Sequence, residues 1–403
     1  MSQDSGPRPL DGFRVLEVGQ LLAGPFVGSI LGYYGAEVIK VEAPGDGDPI
    51  RKWRVLDDDG TSFWWRSLGR NKKCITANLR TDEGRDLVRR LAEQCDIIVE
   101  NFKPGTMEKW GLGPDTFKES NPGLIYARIS GYGQTGPYSS RPGFASVCEG
   151  VGGFRYVNGF PDGPPVRPNL SIGDTLAGLH TALGVVMACV YRLKDPEGRG
   201  QVIDTALYEA VFNLLEGVVA EYDGAGVVRE PSGSTLTGIV PTNTYRCSDG
   251  KFIIIGANGD SIFKRLCNVM GRPEMGDDPR FADNAGRVDN EPEIDAAIAE
   301  WLTALDSETA LQLLDGVSVP SGPIYSVADM FADEHFKARG LFEEVEYNGK
   351  KLKIPAMIPK LSRTPGRTDW PGPEVGAFND EIFGGLLGLS DEARRKLADD
   401  GII

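Results

Sequence analysis

Asp174 is the residue whose setting most directly suggests chemistry. It lies in the stretch SIGDTLAGLH, and the run TLAGLHTALGVVMACVY that follows it is apolar on nearly every face. Such a run predicts a buried helix. A carboxylate at its start can cap the helix by accepting hydrogen bonds from the first backbone N–H groups. It can also act as a nucleophile that forms a covalent intermediate. The decapeptide alone leaves both roles open.

Other residue types that carry covalent or metal chemistry are few. The two histidines, His180 and His335, are too far apart in sequence to form a metal motif. His180 falls inside the predicted helix, where a packed histidine is expected. The six cysteines include no C-x-x-C pair and lie mostly in apolar runs, so we expect reduced core thiols. Carboxylates are therefore the best candidates for catalysis, and no metal site is predicted.

The charge balance argues against several classes of partner. The chain has 43 Lys and Arg against 58 Asp and Glu, a net charge of −15. This excess of acid argues against binding to nucleic acid or to an anionic membrane surface. The N-terminal MSQDSGPRPL has no signal-peptide pattern, and no stretch reaches eighteen uncharged apolar residues. We expect a soluble, cytoplasmic protein in which a local basic site binds any anionic ligand.

Glycine-containing segments do not support a common nucleotide cofactor. VGQLLAGP does not fit G-x-G-x-x-G, and GANGDSIF lacks the Gly-Lys-Ser/Thr of a phosphate-binding loop. Neither NAD nor ATP is predicted, and we expect no permanently bound cofactor.

The elements that must position Asp174 alternate between strand and helix. Strand-like runs are FRVLEV, EVIKVE, DIIVE, LIYARIS and QVIDTAL, and helix-like runs between them include PFVGSILGYYG and TDEGRDLVRRLAEQC. This alternation predicts an α/β fold, with a Rossmann-like parallel sheet covered by helices on both faces.

A second, smaller region begins near residue 225. The strand KFIIIGA follows a Ser-Asp-Gly turn, and an acidic helical stretch extends from about 270 to 315, which together predict a small α+β domain. The β pair FEEVEYNGKKLKIPAM and a proline-rich tail follow; the tail suits either wrapping around another surface or linking domains. We therefore predict a large domain over 1–205, a linker helix over 206–225, a small domain over 226–325 and a return segment over 326–403 that completes the large domain.

Several stretches together resemble the class III coenzyme A transferase family over almost the whole chain. They are LLAGPF at 21–26, GAEVIKVEAPGDGD at 35–48, GRNKKCITANLR at 69–80, DIIVENFKPG at 96–105, ISGYGQTGPY at 129–138, IGDTLAG at 172–178 and GRGQVIDTALYEA at 198–210. The resemblance implies a homodimer of two chains threaded through one another as interlocked rings.

The resemblance also assigns site residues. The family nucleophile falls on Asp174, and an aspartyl-CoA thioester is the implied intermediate. The phosphates of CoA need localised cations, and Asn71–Lys73, Arg80, Lys103, Lys109 and Arg141 offer them. By position, the family's CoA contacts fall on Leu22, Ala23, Ala43, Ala77, Asn78, Leu79, Arg80, Asn101, Phe102, Lys103, Lys109 and Arg141 through Phe144. The segment SGSTLTG at 232–238 is the candidate for the family's mobile glycine loop.

The implied activity is transfer of CoA from an acyl-CoA, with succinyl-CoA as the expected donor, to a small carboxylic or dicarboxylic acid. One alternative is an acyl-CoA racemase or isomerase, but the racemases' Gly-His-Asp is Gly143-Phe144-Ala145 here, so one base is missing. Ala145 also lacks an acid common in the transferases, and Leu22 replaces a glutamine of the formyl-CoA enzymes, which argues against oxalate. The other alternative is a non-catalytic CoA-binding subunit, against which Asp174 argues.

Overall fold

The computed structural model describes residues 6–403. Its strands are β1 (Arg14–Glu17), β2 (Glu37–Glu42), β3 (Lys72–Thr76), β4 (Ile97–Glu100), β5 (Ile125–Ser130), β6 (Val202–Ala206), β7 (Thr242–Arg246), β8 (Phe252–Gly256), β9 (Ser321–Pro323), β10 (Phe342–Tyr347) and β11 (Lys350–Pro355). Its α-helices are α1 (Ala23–Tyr33), α2 (Phe63–Leu68), α3 (Asp82–Ala92), α4 (Thr106–Lys109), α5 (Ala145–Val151), α6 (Phe154–Val157), α7 (Ile172–Lys194), α8 (Leu207–Phe212), α9 (Val218–Ala225), α10 (Asp260–Val269), α11 (Pro273–Asp277), α12 (Asn284–Asp289), α13 (Glu291–Leu302), α14 (Ser307–Gly316), α15 (Val327–Ala332), α16 (Glu334–Ala338) and α17 (Asp391–Asp399).

The first six strands form one parallel sheet in the order β3-β2-β1-β4-β5-β6. The predicted α/β class and all five predicted strand runs are confirmed. Strand order reverses between β1 and β4, and ligands of such sheets bind beyond the carboxyl ends of the strands at this switch point. The sheet therefore marks the place where a site is expected.

Hydrophobic cores cover both faces of this sheet. Val15 and Leu16 are neighbours in β1, both have no exposed surface, and they belong to different clusters. One cluster includes Ala177 and Val185 of α7, and the other includes Leu87 of α3. Burial on both faces is typical of parallel sheets and explains why the strands are nearly continuous apolar runs.

The chain divides into two compact units. The larger contains the residues up to Phe154, then Pro168–Glu216 and His335–Ile403; the smaller contains Arg155–Arg167 and Gly217–Glu334. These divisions differ from the sequence boundaries by about ten residues and add an early segment to the smaller unit. The predicted single helix over 206–225 is wrong, because α8 and α9 are separate and Glu216 between them has a φ of 47°.

The smaller unit is an α+β structure. Its antiparallel sheet has the order β7-β8-β9. Burial alternates along β8, where Ile253 and Ile255 have no exposed surface and join Phe263 and Ile298 of the surrounding helices in one core. The predicted loop at 232–238 lies in this unit, where Ser232 Oγ donates to the carbonyl of Thr235 at 2.9 Å.

Helix α7 forms as predicted, but within this chain it is buried on one face only, so the prediction of a buried helix is wrong for its other face. Its packed face carries small residues, and a Cβ on Gly178 would lie 3.1 Å from the carbonyl oxygen of Ala23. The other face exposes apolar side chains, among them Leu183 and Met187, each 58% exposed. By length and composition alone, α7 is also the one helix within residues 6–403 that could cross a membrane, a test that core helices of soluble proteins pass as well.

Candidate active site

A pocket of about 320 Å³ lies at the carboxyl edge of the parallel sheet. Its walls come from the segments that follow β1 and β4, from the end of β5 and the loop after it, and from the start of α7. The lining residues are Leu21, Leu22, Ala23, Trp53, Trp64, Asn101, Phe102, Lys103, Pro104, Ile129, Ser130, Gly131, Arg141, Pro142, Gly143, Phe144, Ala145, Ser171, Asp174 and Leu207. The pocket is thus at the position that the strand order predicts.

The turn after β1 is held from two sides. Asn101 Oδ1 accepts a hydrogen bond from the backbone N–H of Gln20, and Asn101 Nδ2 donates to the carbonyl of Gln20, both at 2.8 Å. On the other side, the carboxylate of Asp48 accepts from the N–H of Leu21 at 3.1 Å. Leu21 has a φ of 65°, a conformation that costs energy for a branched side chain. The paired hydrogen bonds therefore fix this wall of the pocket.

Asp48 belongs to a buried ionic network. Lys40 Nζ lies 2.9 Å from Asp48 and 3.0 Å from Glu17, and Lys72 Nζ lies 2.8 Å from Glu17. All four side chains are fully buried. Burial by itself lowers the pKa of Lys40, but the charges of Asp48, Glu17 and Glu42 outweigh it and hold that pKa above its usual range. The network stabilises the turn from behind, away from the pocket.

The segment after β4 supplies an aromatic wall. Glu100 Oε2 accepts a hydrogen bond from the N–H of Phe102 at 2.8 Å, and the rings of Phe102 and Trp110 meet edge to face at 5.0 Å. Burial raises the pKa of Glu100, although Arg128, at 2.7 Å, partly offsets it. These contacts set the direction of the chain where Phe102 and Lys103 enter the pocket lining.

Two glycines bring the remaining walls together. A Cβ on Gly131 would lie 2.6 Å from the Cα of Gly143, and a Cβ on Gly143 would lie 2.5 Å from the Cα of Gly131. Only two glycines allow backbones to approach so closely. Nearby, the guanidinium of Arg141 stacks 3.6 Å above the ring of Tyr138. Arg141 is exposed, and this contact with the Tyr138 ring holds its guanidinium N–H groups at the pocket.

Ser130 is the last residue of β5 and a buried polar group in this wall. It is 6% exposed, and its Oγ has no hydrogen-bond partner among residues 6–403. A buried hydroxyl without a partner is unfavourable by about 1–3 kcal/mol. Rotation about χ1 is enough to redirect the hydroxyl, so Ser130 is a candidate donor to an oxygen of a bound substrate.

Asp174 is a half-buried residue of the pocket wall, in the first turn of α7. The helix begins at Ile172, and Ser171 occupies the N-cap position. Asp174 is therefore the third residue of the helix, where the positive end of the helix dipole favours the ionised carboxylate. The charge of Asp174 affects the nearby Cys148 thiol. Burial is the main cause that raises the pKa of this thiol to about 11, and the negative charges of Asp174 and Glu149 add to it.

The structure brings together some of the predicted site residues. Those that line the pocket are Leu22, Ala23, Asn101, Phe102, Lys103, Arg141, Phe144 and Asp174. The other predicted site residues do not line the pocket. Ala43 follows β2, the segment Ala77, Asn78, Leu79 and Arg80 follows β3, and Lys109 ends α4. Arg80 and Lys109 are exposed, whereas Ala77 is buried and donates its N–H to the carbonyl of Glu42 at 2.9 Å.

Lys72 was expected to help to bind phosphate, and this prediction is wrong because the side chain is fully buried against Glu17. Lys73 is also engaged, since its ammonium lies 2.6 Å from both Glu37 and Glu381. Trp53 and Trp64 also line the pocket, from the region between β2 and β3, and were not among the predicted site residues. The only signal in the sequence was their aromatic character in an otherwise polar segment.

The predicted core thiols are confirmed, since all six cysteines are buried and free. Across residues 6–403, no three His, Cys, Asp or Glu side chains come together in a way that could hold a metal ion.

Known proteins resemble this chain along nearly its whole length. The family model described as CoA-transferase family III matches residues 10–379. A succinyl-CoA–D-citramalate CoA-transferase from Chloroflexus aurantiacus is 47% identical over 393 residues, which is 97% of each chain. The alpha subunit of a succinyl-CoA–L-malate CoA-transferase from the same organism is 41% identical, covering 98% of this chain and 92% of that one. A solved CAIB/BAIF family protein from Brucella suis has a TM-score of 0.83 at 36% identity, covering 94% of this chain and 100% of that one.

Proposed function

Because this chain belongs to CoA-transferase family III, we propose that it moves CoA from succinyl-CoA to a small dicarboxylic acid through a thioester on Asp174. The observation that carries the proposal is the place of Asp174 in the wall of the pocket at the carboxyl edge of the sheet. Lys103 and Arg141 line the same pocket and supply positive charge for anionic ligands.

The transfer proceeds in four displacements at carbonyl carbons. An oxygen of Asp174 attacks the thioester of the donor, the C–S bond breaks, and an acyl-aspartyl anhydride and CoA thiolate form. The thiolate attacks the aspartyl carbonyl and releases the donor acid, leaving aspartyl-CoA thioester. The carboxylate of the acceptor attacks this thioester and displaces the thiolate, which then attacks the acyl carbonyl of the second anhydride. The new acyl-CoA leaves, and the Asp174 carboxylate is restored without net change of protons.

The pocket suits such a sequence of steps. Both anhydrides are destroyed by water, so the reacting carbons need a wall that excludes solvent. Trp53, Trp64 and Phe144 contribute large apolar surfaces to the lining. The dipole of α7 favours the anionic form of Asp174, which is the attacking species.

The choice of donor and acceptor is supported by the relatives. Both Chloroflexus enzymes are named for succinyl-CoA as donor and for a four- or five-carbon hydroxy dicarboxylate, L-malate or D-citramalate, as acceptor. The acceptor proposed here is therefore a short dicarboxylate, with acyl-CoA and acid as substrates. A cytoplasmic location and the lack of a permanently bound cofactor stay predictions.

The proposal includes a homodimer. The exposed face of α7 presents Leu179, Leu183, Met187, Val190 and Leu193, each at least 46% exposed. A contiguous apolar face of this kind is typical of a protein interface, and a second copy of the chain is the proposed occupant. Sedimentation equilibrium should give twice the chain mass, and Leu183→Glu should shift the protein toward monomer; a monomeric wild type would contradict the dimer.

Covalent trapping tests the proposed reaction. The enzyme is mixed with succinyl-CoA without acceptor, quenched with hydroxylamine, and mapped by peptide mass spectrometry. We expect hydroxamate on the peptide that contains Asp174 and none on Asp174→Asn. An unmodified Asp174 across a panel of acyl-CoAs overturns the thioester mechanism. Uptake of deuterium at the α-carbon of an acyl-CoA without acceptor would instead support the isomerase.

A further inference from the structure

The N-terminus of α7 receives its cap from another helix. Ser171 occupies the N-cap position, but its side chain accepts no hydrogen bond from the first turn. Instead, Glu149 Oε1 on α5 accepts a hydrogen bond from the N–H of Gly173 at 3.3 Å. Gly173 directly precedes Asp174 in the chain. A backbone N–H of the first helical turn has no partner inside its own helix, so this bond satisfies a group that otherwise lacks one.

The packing of α5 on α7 makes this bond possible. A Cβ on Gly173 would lie 3.3 Å from both the Cβ and the carbonyl oxygen of Ala145, so glycine and alanine let the two helices approach closely. Glu149 is four residues after Ala145 and therefore on the same face of α5. Its side chain has no exposed surface. Burial of a carboxylate is costly unless donors satisfy it, so its position between these helices is strongly specified.

A third group, the Cys148 thiol, lies near both carboxylates. Cys148 is buried beside Glu149, and its Sγ donates to the carbonyl of Gly131 in the pocket wall at 3.3 Å. The negative charges of Asp174 and Glu149 both raise the pKa of this thiol, after burial. Glu149 is thus hydrogen-bonded to the backbone of Gly173, next to Asp174 in the chain, and its neighbour Cys148 contacts the Gly131 wall.

We infer that Glu149 is a positioning residue, whose carboxylate holds the first turn of α7 and so sets the direction from which Asp174 attacks the thioester. It is not assigned as a catalytic residue, because it acts through Gly173 and does not line the pocket. The inference rests on the proposed function, in which Asp174 is the nucleophile. Small displacements of a nucleophile lower reaction rates strongly even when the substrate still binds.

The test compares two substitutions that separate the hydrogen bond from the charge. Glu149→Gln keeps an oxygen acceptor and the shape of the side chain but removes the charge, whereas Glu149→Leu removes the acceptor and keeps the bulk. Glu119→Leu, at an exposed glutamate, is the matched control. Single-turnover labelling of Asp174 by succinyl-CoA gives the rate, steady-state assays separate kcat from KM, and hydrogen exchange reports the N–H of Gly173.

We expect Glu149→Leu to slow labelling of Asp174 by about 10- to 100-fold with KM changed less than about threefold, and Glu149→Gln to stay within about threefold of wild type. The Gly173 N–H should exchange faster in Glu149→Leu only. Labelling of Glu149→Leu at the wild-type rate overturns the inference, and so does an equal loss in Glu149→Gln.

The exchange measurement separates this inference from the proposed function. If wild-type Asp174 is never labelled, the thioester mechanism fails, and the inferred role in attack fails with it. Faster exchange at Gly173 in Glu149→Leu would then support only the cap. If Asp174 is labelled normally and exchange at Gly173 is unchanged in Glu149→Leu, the proposed function stands and the positioning role is overturned. Should Glu149→Leu fail to fold, Glu149→Gln decides, because a loss of more than about tenfold there contradicts the inference.

Discussion

The two halves of the sheet's carboxyl edge use charge in opposite ways. Behind the turn that follows β1, the side chains of Glu17, Lys40 and Lys72 are completely buried and paired with one another. Beyond β4 and β5, Arg141 is exposed and Asp174 half-buried, and both line the pocket. In the first half the charged side chains hold the backbone of the turn in place. In the second half the charged side chains line the pocket, where a ligand can reach them. A lysine or carboxylate near a switch point is therefore not by itself a ligand contact.

The largest effect should come from removing the charge of Asp174 in the pocket wall. Asp174→Asn should lower the rate of CoA transfer by on the order of 10⁴-fold and change the dissociation constant for CoA less than about threefold, because the nucleophile is lost but the walls remain. Steady-state assays and calorimetric titration measure the two quantities. More than about one-hundredth of the wild-type rate would show that Asp174 is not the nucleophile.

Substitution in the buried ionic network should lower the stability of the fold. Lys40→Met leaves Glu17 and Asp48 buried without one of their counter-charges, so the free energy of unfolding should fall by about 3–5 kcal/mol. Lys103→Met, at an exposed residue of the pocket, should change it by less than about 0.5 kcal/mol. Denaturant unfolding followed by circular dichroism compares the two variants. Equal midpoints would remove the distinction between the halves.

A third prediction concerns the binding of CoA by the exposed half. Arg141→Met should raise KM for the acyl-CoA about tenfold with little change in kcat, because the charge-assisted hydrogen bond that we propose Arg141 donates to a CoA phosphate is lost. The increase should shrink at high salt. Lys118→Met is the control, since Lys118 is exposed, lies 2.7 Å from Asp115 and is outside the pocket lining. An equal rise in both variants would mean that net charge, and not the position of Arg141, determines KM.

The smallest expected effect concerns an ion pair between Asp57 and the partly exposed Lys350, which sharpens the contrast with the fully buried network. The hydrogen bond from Lys350 is the main cause that lowers the pKa of Asp57 to about 2, below its ordinary value of 3.8. A lowered pKa stabilises the fold above the ordinary value, and this contribution is lost as pH falls through about 2. Asp57→Asn should thus be slightly less stable than wild type near neutral pH. The difference in urea midpoints should vanish in acid, and a difference that grows in acid would contradict the assignment.

Local patterns in the sequence were enough to predict most of the larger unit. The β-branched runs predicted the strands, and the run TDEGRDLVRRLAEQC predicted α3, which Thr81 caps by accepting from the N–H of Gly84 at 3.1 Å. The hairpin β10–β11 was equally visible from Asn348 and Gly349, which take positive φ in its turn. Each of these signals lies within a few residues of the element that it specifies.

Contacts between distant residues could not be predicted in this way. Lys72 and Glu17 are 55 residues apart and meet only because β3 and β1 flank β2. The bond from Gly173 to Glu149 spans 24 residues and depends on how two helices pack. The exposed face of α7 was mistaken for core because apolar composition does not show which side a neighbour covers. The candidate site residues came from family resemblance, whereas the contacts that support them needed the fold.

The left-handed Leu21 has a thermodynamic consequence for recognition. Asp48 and Asn101 fix the turn around it, and Asp48 is in turn held by Lys40. Conformational entropy of this segment is therefore lost when the protein folds and is no longer a cost of association. A ligand that reaches this wall meets a backbone that is already ordered, so the entropy of binding should reflect the ligand's own flexibility more than that of the turn.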